Sequence, residues 1–355
     1  MISSVSPPTA GLAEVQLRCA ELSPALEFFV GELGFRIETI YPADDPQVAC
    51  LSGHGLRLRL APGGDPGTLR MSGEARTLIA PNGTRIEFVD LDPAVVIPPL
   101  KSESVITRQS ENPETGVGRA GMLYRDLIPS RLGGRFIASH ISIPQGGSVS
   151  DWVHFHKIRF QMLVCRRGWA RLVYEDQGPA FLFKAGDCVL QPPRIRHRVL
   201  ESSDGFEVVE IGCPALHETL ADHDMELPTS LLAPERDFGG QRFLRHVAAE
   251  TLWTPHGATG FERRETSMSR ATDGLADARV IRPAQARGFR APAHSGEFYF
   301  GFLLEGSVVL DMNGRHRLAP ADAFVIPADA AWGLSEASDD LALLEVILPA
   351  DAARV

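Results

Sequence analysis

Two stretches decide the fold of the middle of this chain: residues 151–168, DWVHFHKIRFQMLVCRRG, and residues 185–200, AGDCVLQPPRIRHRVL. His154 and His156 stand two apart, so on an extended strand both imidazoles leave the same face. Gln161 follows five residues after His156, and His197 opens the last apolar run. Since imidazole is a common ligand of transition metals, the spacing lets the first two histidines share one ion.

The sequence around these stretches is rich in short β-type runs, such as FIASHISI, ARLVYED and FEVVEIG, separated by Gly, Pro and Asp turns. This pattern predicts a sandwich or barrel. A second region repeats it in the same order. FQMLVCRRGWARLVY compares with FGFLLEGSVVLDM, AGDCVLQPP with PADAFVIPA, and EVVEIGCPA with ALLEVILPA. Internal duplication is the simplest account, and it predicts two tandem β-barrels.

The histidine-bearing stretches resemble the two cupin motifs, G(x)5HxH(x)3-4E(x)6G and G(x)5PxG(x)2H(x)3N, over roughly two thirds of the chain. The resemblance implies one divalent metal ion per chain, held by His154, His156 and His197 and completed by Gln161. Fe is the expected metal, with Mn, Ni, Co, Cu and Zn as alternatives. Gln161 stands where the motif usually has glutamate, and Arg194 and Glu201 replace its second glycine and its asparagine.

The glutamine changes the charge of the predicted site. Three neutral imidazoles and an amide leave the charge of a divalent ion uncompensated, which favours an anionic small-molecule substrate. Whether Gln161 binds the ion directly or orients another ligand stays open. Cys165 shares strand parity with Gln161 and is expected to be a buried, unreactive thiol.

Flanking residues provide weaker candidates for catalysis. Arg194 could clamp a substrate carboxylate, whereas Arg196 should point opposite to His197. Tyr174 and Glu175 are the only side chains near the motifs that suggest a general base, besides a metal hydroxide.

The second barrel is expected to be degenerate. At the motif positions it has Pro292, His294, Tyr299 and Trp332, with Glu297 near His294. Such a set does not repeat the metal site, because two protein ligands rarely suffice. Its aromatic residues could fill the barrel as core or form an apolar pocket: Phe298, Tyr299, Phe300, Phe302 and Trp332.

The N-terminal segment begins with the strand-like AEVQLRC, and SPALEFFVGELGF follows with helical spacing of its apolar residues. With the strand-like runs that follow, residues 13–90 predict a βαβββ module. It resembles one half of a vicinal oxygen chelate (glyoxalase-like) domain, and its ligand positions fall on Glu14 and Glu87. Two such modules normally pair, so the resemblance implies a homodimer. An exposed pair of glutamates is the alternative.

The fold class is therefore expected to be mostly β: two tandem cupin (double-stranded β-helix) barrels behind a small α/β module. The predicted boundaries are residues 1–92 for the module, 93–120 for a linker, 121–228 for the metal-binding barrel and 229–355 for the degenerate barrel.

Net charge and cysteine content limit the classes of partner and the cellular compartment that we expect for this protein. The net charge of −10 gives no positive field for a phosphate backbone, so nucleic acid is excluded as an expected partner. Five scattered cysteines without CxxC spacing argue against a disulfide framework and fit a reduced cytoplasm. Neither an export signal nor an apolar run long enough for a membrane span is recognisable.

Three functions agree with these features. The first is a metal-dependent dioxygenase acting on a small carboxylate, enol or diketone. The second is a metal Lewis-acid isomerase, lyase or hydrolase. The third is a non-catalytic small-ligand binding protein, since fold alone does not fix function.

Overall fold

The computed structural model describes residues 12–112, 116–257 and 260–352. The first eleven residues, on which the expected lack of an export signal depends, lie outside the described residues, as do residues 113–115 of the predicted linker. The chain divides into two compact units, Met1–Ala94 and Val95–Val355. In the described ranges, no helix has the length and apolarity needed to cross a membrane.

From residue 12 onward, the first unit contains seven strands and one helical segment. Their bounds are β1 (Val15–Arg18), α1 (Leu22–Leu26, continued by a π-helical turn at Glu27–Glu32), β2 (Arg36–Tyr41), β3 (Val48–Gly53), β4 (Leu56–Ala61), β5 (Thr68–Ser72), β6 (Arg76–Ile79) and β7 (Arg85–Val89).

These strands form two sheets. The first has the order β1-β4-β3-β2, with β1 parallel to β4, so the βαβββ arrangement is complete by Ala61. The second has the order β5-β7-β6, with β5 parallel to β7. The single module expected over residues 13–90 is thus a βαβββ sheet followed by a second, three-stranded sheet. Apolar residues of both sheets and of α1 share one core, which includes Leu17, Phe29, Leu60 and Ile86.

The second unit contains two barrels. In the first barrel, one sheet has the order β21-β17-β14-β19-β11-β10-β9, and the other has the order β16-β15-β18-β13-β20, with β12 also paired to β18. The strand bounds are β9 (Gly116–Val117), β10 (Leu123–Asp126), β11 (Ile137–Ile143), β12 (Gly147–Ser148), β13 (His154–His156), β14 (Phe160–Arg167), β15 (Trp169–Tyr174), β16 (Phe181–Lys184), β17 (Cys188–Leu190), β18 (His197–Ser202), β19 (Phe206–Cys213), β20 (Thr219–Ala221) and β21 (Leu244–His246).

The second barrel repeats this plan with sheets in the orders β22-β23-β24-β31-β26-β29-β8 and β25-β30-β27-β28. Its elements are β8 (Val105–Thr107), β22 (Thr254–Pro255), β23 (Phe261–Glu265), α2 (Met268–Ala271), β24 (Asp277–Pro283), β25 (Phe289–Ala291), β26 (Phe298–Glu305), β27 (Val308–Asp311), β28 (Arg315–Leu318), β29 (Ala323–Val325), β30 (Trp332–Ser335) and β31 (Ala342–Leu348). The predicted mostly β architecture is confirmed.

Each barrel receives a strand from outside its own part of the sequence. β8 lies within the predicted linker, residues 93–120, and pairs with β29 of the second barrel. β21 lies within the predicted second-barrel segment, residues 229–355, and pairs with β17 of the first barrel. The chain therefore crosses between the barrels twice.

The strand alternation of β14 and β26 explains how the barrels pack. Phe160, Met162 and Val164 enter a core that both barrels share, as do Phe298, Phe300 and Phe302 from β26. Residues of opposite parity, such as Cys165, face the interior of their own barrel. Successive side chains on one strand thus serve two different cores.

Candidate metal centre

Three imidazoles converge inside the first barrel. His154 and His156 lie on β13, and His154 pairs directly with His197 at the start of β18. One ring nitrogen from each histidine lies within 4.8 Å of the other two. The side chains are buried, with exposed fractions of 1%, 8% and 5%. In the described part of the chain, no other group of three or more His, Cys, Asp or Glu side chains comes together in this way.

Hydrogen bonds to backbone carbonyls determine the tautomers of two of the three rings. Nδ1 of His154 lies 2.8 Å from the Trp152 carbonyl oxygen, and Nδ1 of His197 lies 3.0 Å from that of Ile195. A carbonyl oxygen only accepts, so both Nδ1 atoms carry the proton and donate it. Nδ1 of His156 lies 3.2 Å from Oγ1 of Thr219. In His154 and His197 the protonated Nδ1 leaves Nε2 with the lone pair that a metal requires, whereas the Thr219 hydroxyl can donate to or accept from His156.

A buried carboxylate supports this arrangement from outside the ring cluster. The Asp151 side chain accepts hydrogen bonds from the backbone amides of Trp152 and Val199, each at 3.0 Å. Its Oδ1 lies 3.7 Å from Nδ1 of His154. Asp151 therefore ties the loop before β13 to β18, and it places negative charge behind one predicted ligand.

Gln161 is oriented by an acidic residue that the sequence analysis did not single out. Its Nε2 donates to Oε1 of Glu210 at 2.6 Å. A carboxylate accepts hydrogen bonds only, so the amide nitrogen of Gln161 must face Glu210 and its Oε1 remains an acceptor. Gln161 lines the same cavity as the three histidines. The donor set of three imidazoles and one amide oxygen thus fits a divalent ion of the Fe to Zn series.

Two cavities meet at this cluster. The smaller has a volume of about 60 Å³ and is lined by all three histidines, Gln161 and Glu210, and by apolar residues including Ile141, Leu163, Leu172, Phe183 and Val208. The larger, of about 590 Å³, is lined by residues that include Trp152, His156, Glu210, His217 and Thr219. His156 and Glu210 line both cavities, so a small molecule in the larger cavity would contact the predicted metal position.

The weaker candidates lie in different places. Tyr174 lines the smaller cavity, stacks on His197 and accepts a hydrogen bond from Gln191 at 3.0 Å. Burial raises the pKa of the Tyr174 hydroxyl, which makes it a poor base at neutral pH. Arg194 sits in the turn before β18 with an exposed side chain and lines neither cavity. The arginine of the smaller cavity is instead Arg198.

Two further side chains near the motifs are engaged elsewhere. Glu175 is ion-paired with Arg236 at 2.6 Å and accepts the backbone amide of Arg196. Arg196 lies over the Phe155 ring and pairs with Asp222.

Cys165 is buried, and burial raises the pKa of its thiol. All five cysteines have buried, free thiols.

The two candidate glutamates of the first unit, Glu14 and Glu87, are each ion-paired with arginine. Glu14 pairs with Arg57 at 3.0 Å, and Glu87 with Arg85 at 2.7 Å. Hydrogen bonding to Arg57 lowers the pKa of Glu14. The two glutamates belong to different sheets, since Glu14 directly precedes β1 and Glu87 lies on β7.

The second barrel has no equivalent of the histidine cluster among its described residues. Ring nitrogens of His294 lie 3.0 Å from the Ile326 carbonyl and 3.2 Å from the Gly296 amide, so backbone contacts occupy both. Glu297 accepts hydrogen bonds from Arg135 and Arg159 of the first barrel. The residue opposite Trp332 is Ala291, one before Pro292.

The candidate site residue that sequence reasoning missed is Glu210. Its signal was present in the duplication, because EVVEIGCPA and ALLEVILPA align Glu210 with Glu345. An acidic residue kept at one position of two buried strands is unusual, since carboxylates are rarely buried without a partner. Both glutamates do have partners inside their barrels: Gln161 for Glu210 and Tyr299 for Glu345.

Replacing Glu210 by alanine should weaken metal binding about ten- to a hundredfold, the range found for residues that orient metal ligands. The change removes the acceptor that fixes the amide of Gln161. Competition between the protein and a chelator for Co²⁺ would measure the affinity. Glu201→Ala is the matched control, because Glu201 pairs with Arg171 at the barrel surface. An affinity within twofold of the unchanged protein would contradict the role assigned to Glu210.

No family model matches the chain, and no curated protein matches it in sequence. Solved structures do match. A variant of salicylate 1,2-dioxygenase from Pseudoaminobacter salicylatoxidans has a TM-score of 0.54 at 14% identity, covering 71% of this chain and 86% of that one. Protein Ylba from E. coli has a TM-score of 0.51 at 10% identity, covering 75% and 97%.

An oxalate decarboxylase variant from Bacillus subtilis has a TM-score of 0.51 at 12% identity, covering 74% of this chain and 80% of that one. Identities this low establish fold and leave function open. Together with the two-sheet barrels and the order of their strands, these matches identify the fold of the two-barrel part of the chain as the cupin fold.

Proposed function

We propose that the first barrel is the active site of a metal-dependent enzyme, a dioxygenase acting on a small anionic, oxygen-rich substrate of the carboxylate, enol or diketone type. The observation that supports this most strongly is the convergence of His154, His156 and His197 with each Nδ1 engaged by an oxygen. Similarity in fold to salicylate 1,2-dioxygenase agrees with the proposal.

In this proposal His154, His156 and His197 hold one divalent ion, Fe by preference, and Oε1 of Gln161 is the fourth protein ligand. When bound, a redox-active ion supplies Lewis acidity and one-electron chemistry toward O2. The apolar wall of the smaller cavity excludes water from the cluster. The larger cavity, about 590 Å³, is within the size range of small-molecule sites and receives the substrate.

The residues of the site set the charge that a substrate meets. The three imidazoles and the amide are neutral ligands, and Glu210, held by Gln161, is a carboxylate that lines both cavities. A carboxylate or enolate substrate would supply the negative charge that the protein ligands lack. Arg131, which lines the larger cavity, is the cation placed to contact it.

Oxygen uptake tests the proposal. Protein purified without added metal would first be analysed for its metal content. It would then be screened in an oxygen electrode against diketones, hydroxy acids and phenolic acids. In a dioxygenase reaction both oxygen atoms enter the product and the substrate supplies the electrons, so one O2 should be consumed per substrate with no added reductant. Turnover that continues unchanged without oxygen would reject this proposal.

Glu210 favours a second candidate, a metal Lewis-acid isomerase, lyase or hydrolase. Such chemistry requires a general base, and Glu210 lines both cavities beside the histidine cluster. The same compounds tested under nitrogen separate the two candidates, because only the second continues without O2. A third outcome, ligand binding that a chelator leaves unchanged, would indicate a non-catalytic binding protein.

For the first unit we propose a relationship to the vicinal oxygen chelate fold, supported by its βαβββ order β1-β4-β3-β2. The arginine pairs of Glu14 and Glu87 favour a structural role for both carboxylates over metal binding. We also propose that the protein forms a homodimer through this unit and that it is located in the cytoplasm. Its net charge of −10 makes nucleic acid an unexpected partner.

A further inference from the structure

The second barrel encloses a cavity of about 280 Å³ at the place where the first barrel has its histidine cluster. Its wall includes three aromatic side chains, Phe289, Tyr299 and Trp332. Phe298, Phe300 and Phe302, which the sequence analysis grouped with them, pack instead in the core between the barrels. The aromatic residues of this barrel thus divide between core and cavity according to strand parity.

Buried charges on the cavity wall compensate one another. Nε of Arg279 donates to Oε2 of Glu345 at 2.6 Å, and the hydroxyl of Tyr299 donates to Oε1 of the same carboxylate. Arg279 and Glu345 have exposed fractions of 4% and 3%. Burial would raise the pKa of Glu345, but the guanidinium beside it holds that pKa below the usual value. The pair is therefore ionised and adds no net charge to the cavity.

The register of the strands shows what Arg279 replaces. Arg279 lies opposite Glu345, as Ser139 lies opposite Glu210 in the first barrel. Tyr299 likewise takes the position of Gln161. The second barrel thus has a fixed cation beside the acidic position that both repeats share, where the first barrel has a serine. Since backbone contacts occupy both nitrogens of His294, a metal is not needed to explain the site.

Two donors of the cavity wall, Nε1 of Trp332 and the guanidinium of Arg290, have no protein partner among the described residues. Nε1 of Trp332 is buried and has no hydrogen-bond partner among the described residues. A buried donor of this kind is costly to leave unpaired, and it calls for an acceptor from a ligand. Arg290 also lines the cavity, its side chain is exposed, and no ion pair is seen for it in the described ranges. An indole N–H and a guanidinium together suit a carboxylate.

We propose that the cavity of the second barrel is a separate binding site for a small carboxylate with a single aromatic ring. Its ring lies against Phe289, Tyr299 and Trp332, whose faces prefer offset or edge contacts with another ring. Its carboxylate accepts from Nε1 of Trp332 and pairs with Arg290. A cavity of about 150 Å³ holds a benzene ring, so about 280 Å³ leaves room for one ring with its carboxylate.

Binding of 4-fluorobenzoate to the full-length protein tests this site. The protein is treated with a chelator and carries His156→Ala, so that the first barrel contributes no metal. ¹⁹F NMR should show one saturable bound signal per chain, which benzoate displaces and benzamide does not. The absence of a saturable signal would overturn the proposal. Equal displacement by benzamide would overturn the assignment of an anionic ligand.

Substitutions in the cavity wall test whether the ¹⁹F signal of bound 4-fluorobenzoate arises from this site. Arg290→Gln and Trp332→Phe should each weaken binding about tenfold, the loss expected for one charge-assisted hydrogen bond. Arg287→Gln is the matched control, because Arg287 is paired with Asp339 and lies outside the cavity wall. It should change the affinity less than twofold. Ala291→Phe, which fills the cavity, should abolish the bound signal while the thermal midpoint shows that the chain is folded.

These experiments distinguish failure of the second-barrel binding site from failure of the proposed enzymatic function of the first barrel. Undiminished binding in Ala291→Phe would place the ligand elsewhere and reject the second-barrel site. Oxygen uptake by the first barrel is measured on protein with intact His156 and does not depend on that outcome. The two proposals can therefore fail independently.

Discussion

Protein carrying His156→Ala will lose its metal, from about one ion per chain to less than about a tenth, and its activity will fall with the metal. Residues that only orient a metal ligand contribute ten- to a hundredfold in affinity, so loss of a ligand itself should exceed a hundredfold. The barrel should stay folded, because its interior core includes Leu172, Phe183 and Val208 and does not depend on the ion. Elemental analysis and circular dichroism measure the two quantities.

An exposed histidine outside the cluster provides the control. His223 lies near Trp152 but is not one of the three converging residues. His223→Ala should keep its metal and its activity. Full metal content in His156→Ala would remove the ligand assignment, and with it the reason to look for chemistry in this barrel.

The histidine cluster could be predicted from the sequence because short-range rules determine most of its geometry. A two-residue spacing on a strand puts His154 and His156 on one face whatever the rest of the chain does. The resemblance to the cupin motifs then implies that the segment with His197 returns beside them. The structure brings all three together through the pairing of His154 with His197.

The sequence could not decide what depends on long-range register. Glu210 meets Gln161 only because β14 pairs with β19 in a particular register, and a shift by one residue would turn that carboxylate into the core between the barrels. For the same reason, the sequence could not show that β8 pairs with the second barrel and β21 with the first. Both segments are short, and only their distant partners mark them as strands.

The degenerate barrel illustrates a further limit. Its motif positions predict the loss of a metal site, and those positions are occupied by backbone-bound His294 and by Trp332. They do not predict Arg279, which lies outside the motifs and reaches Glu345 across the pair β24 and β31. Comparison of the two repeats in three dimensions is needed to see that a guanidinium faces the acidic position.

Breaking that pair should have the largest effect on stability. Glu345→Leu leaves the Arg279 guanidinium buried without its carboxylate, and removal of one partner of a buried pair costs about 3–5 kcal/mol. The double variant Arg279→Met with Glu345→Leu removes both charges, so it should be more stable than the single variant by about 2 kcal/mol or more. Urea unfolding followed by tryptophan fluorescence would report the difference, since Trp332 lies on the same cavity wall.

A surface glutamate of the same barrel is the matched control for that experiment. Glu336 is paired with Arg315 and Arg317, and Glu336→Leu should leave the urea midpoint nearly unchanged because exposed ion pairs contribute little. If the double variant is as unstable as Glu345→Leu alone, the cost arises from lost packing. If it recovers, an uncompensated guanidinium is the cause, and the second barrel depends on its internal ion pair as a fixed substitute for the cation that we propose the first barrel binds.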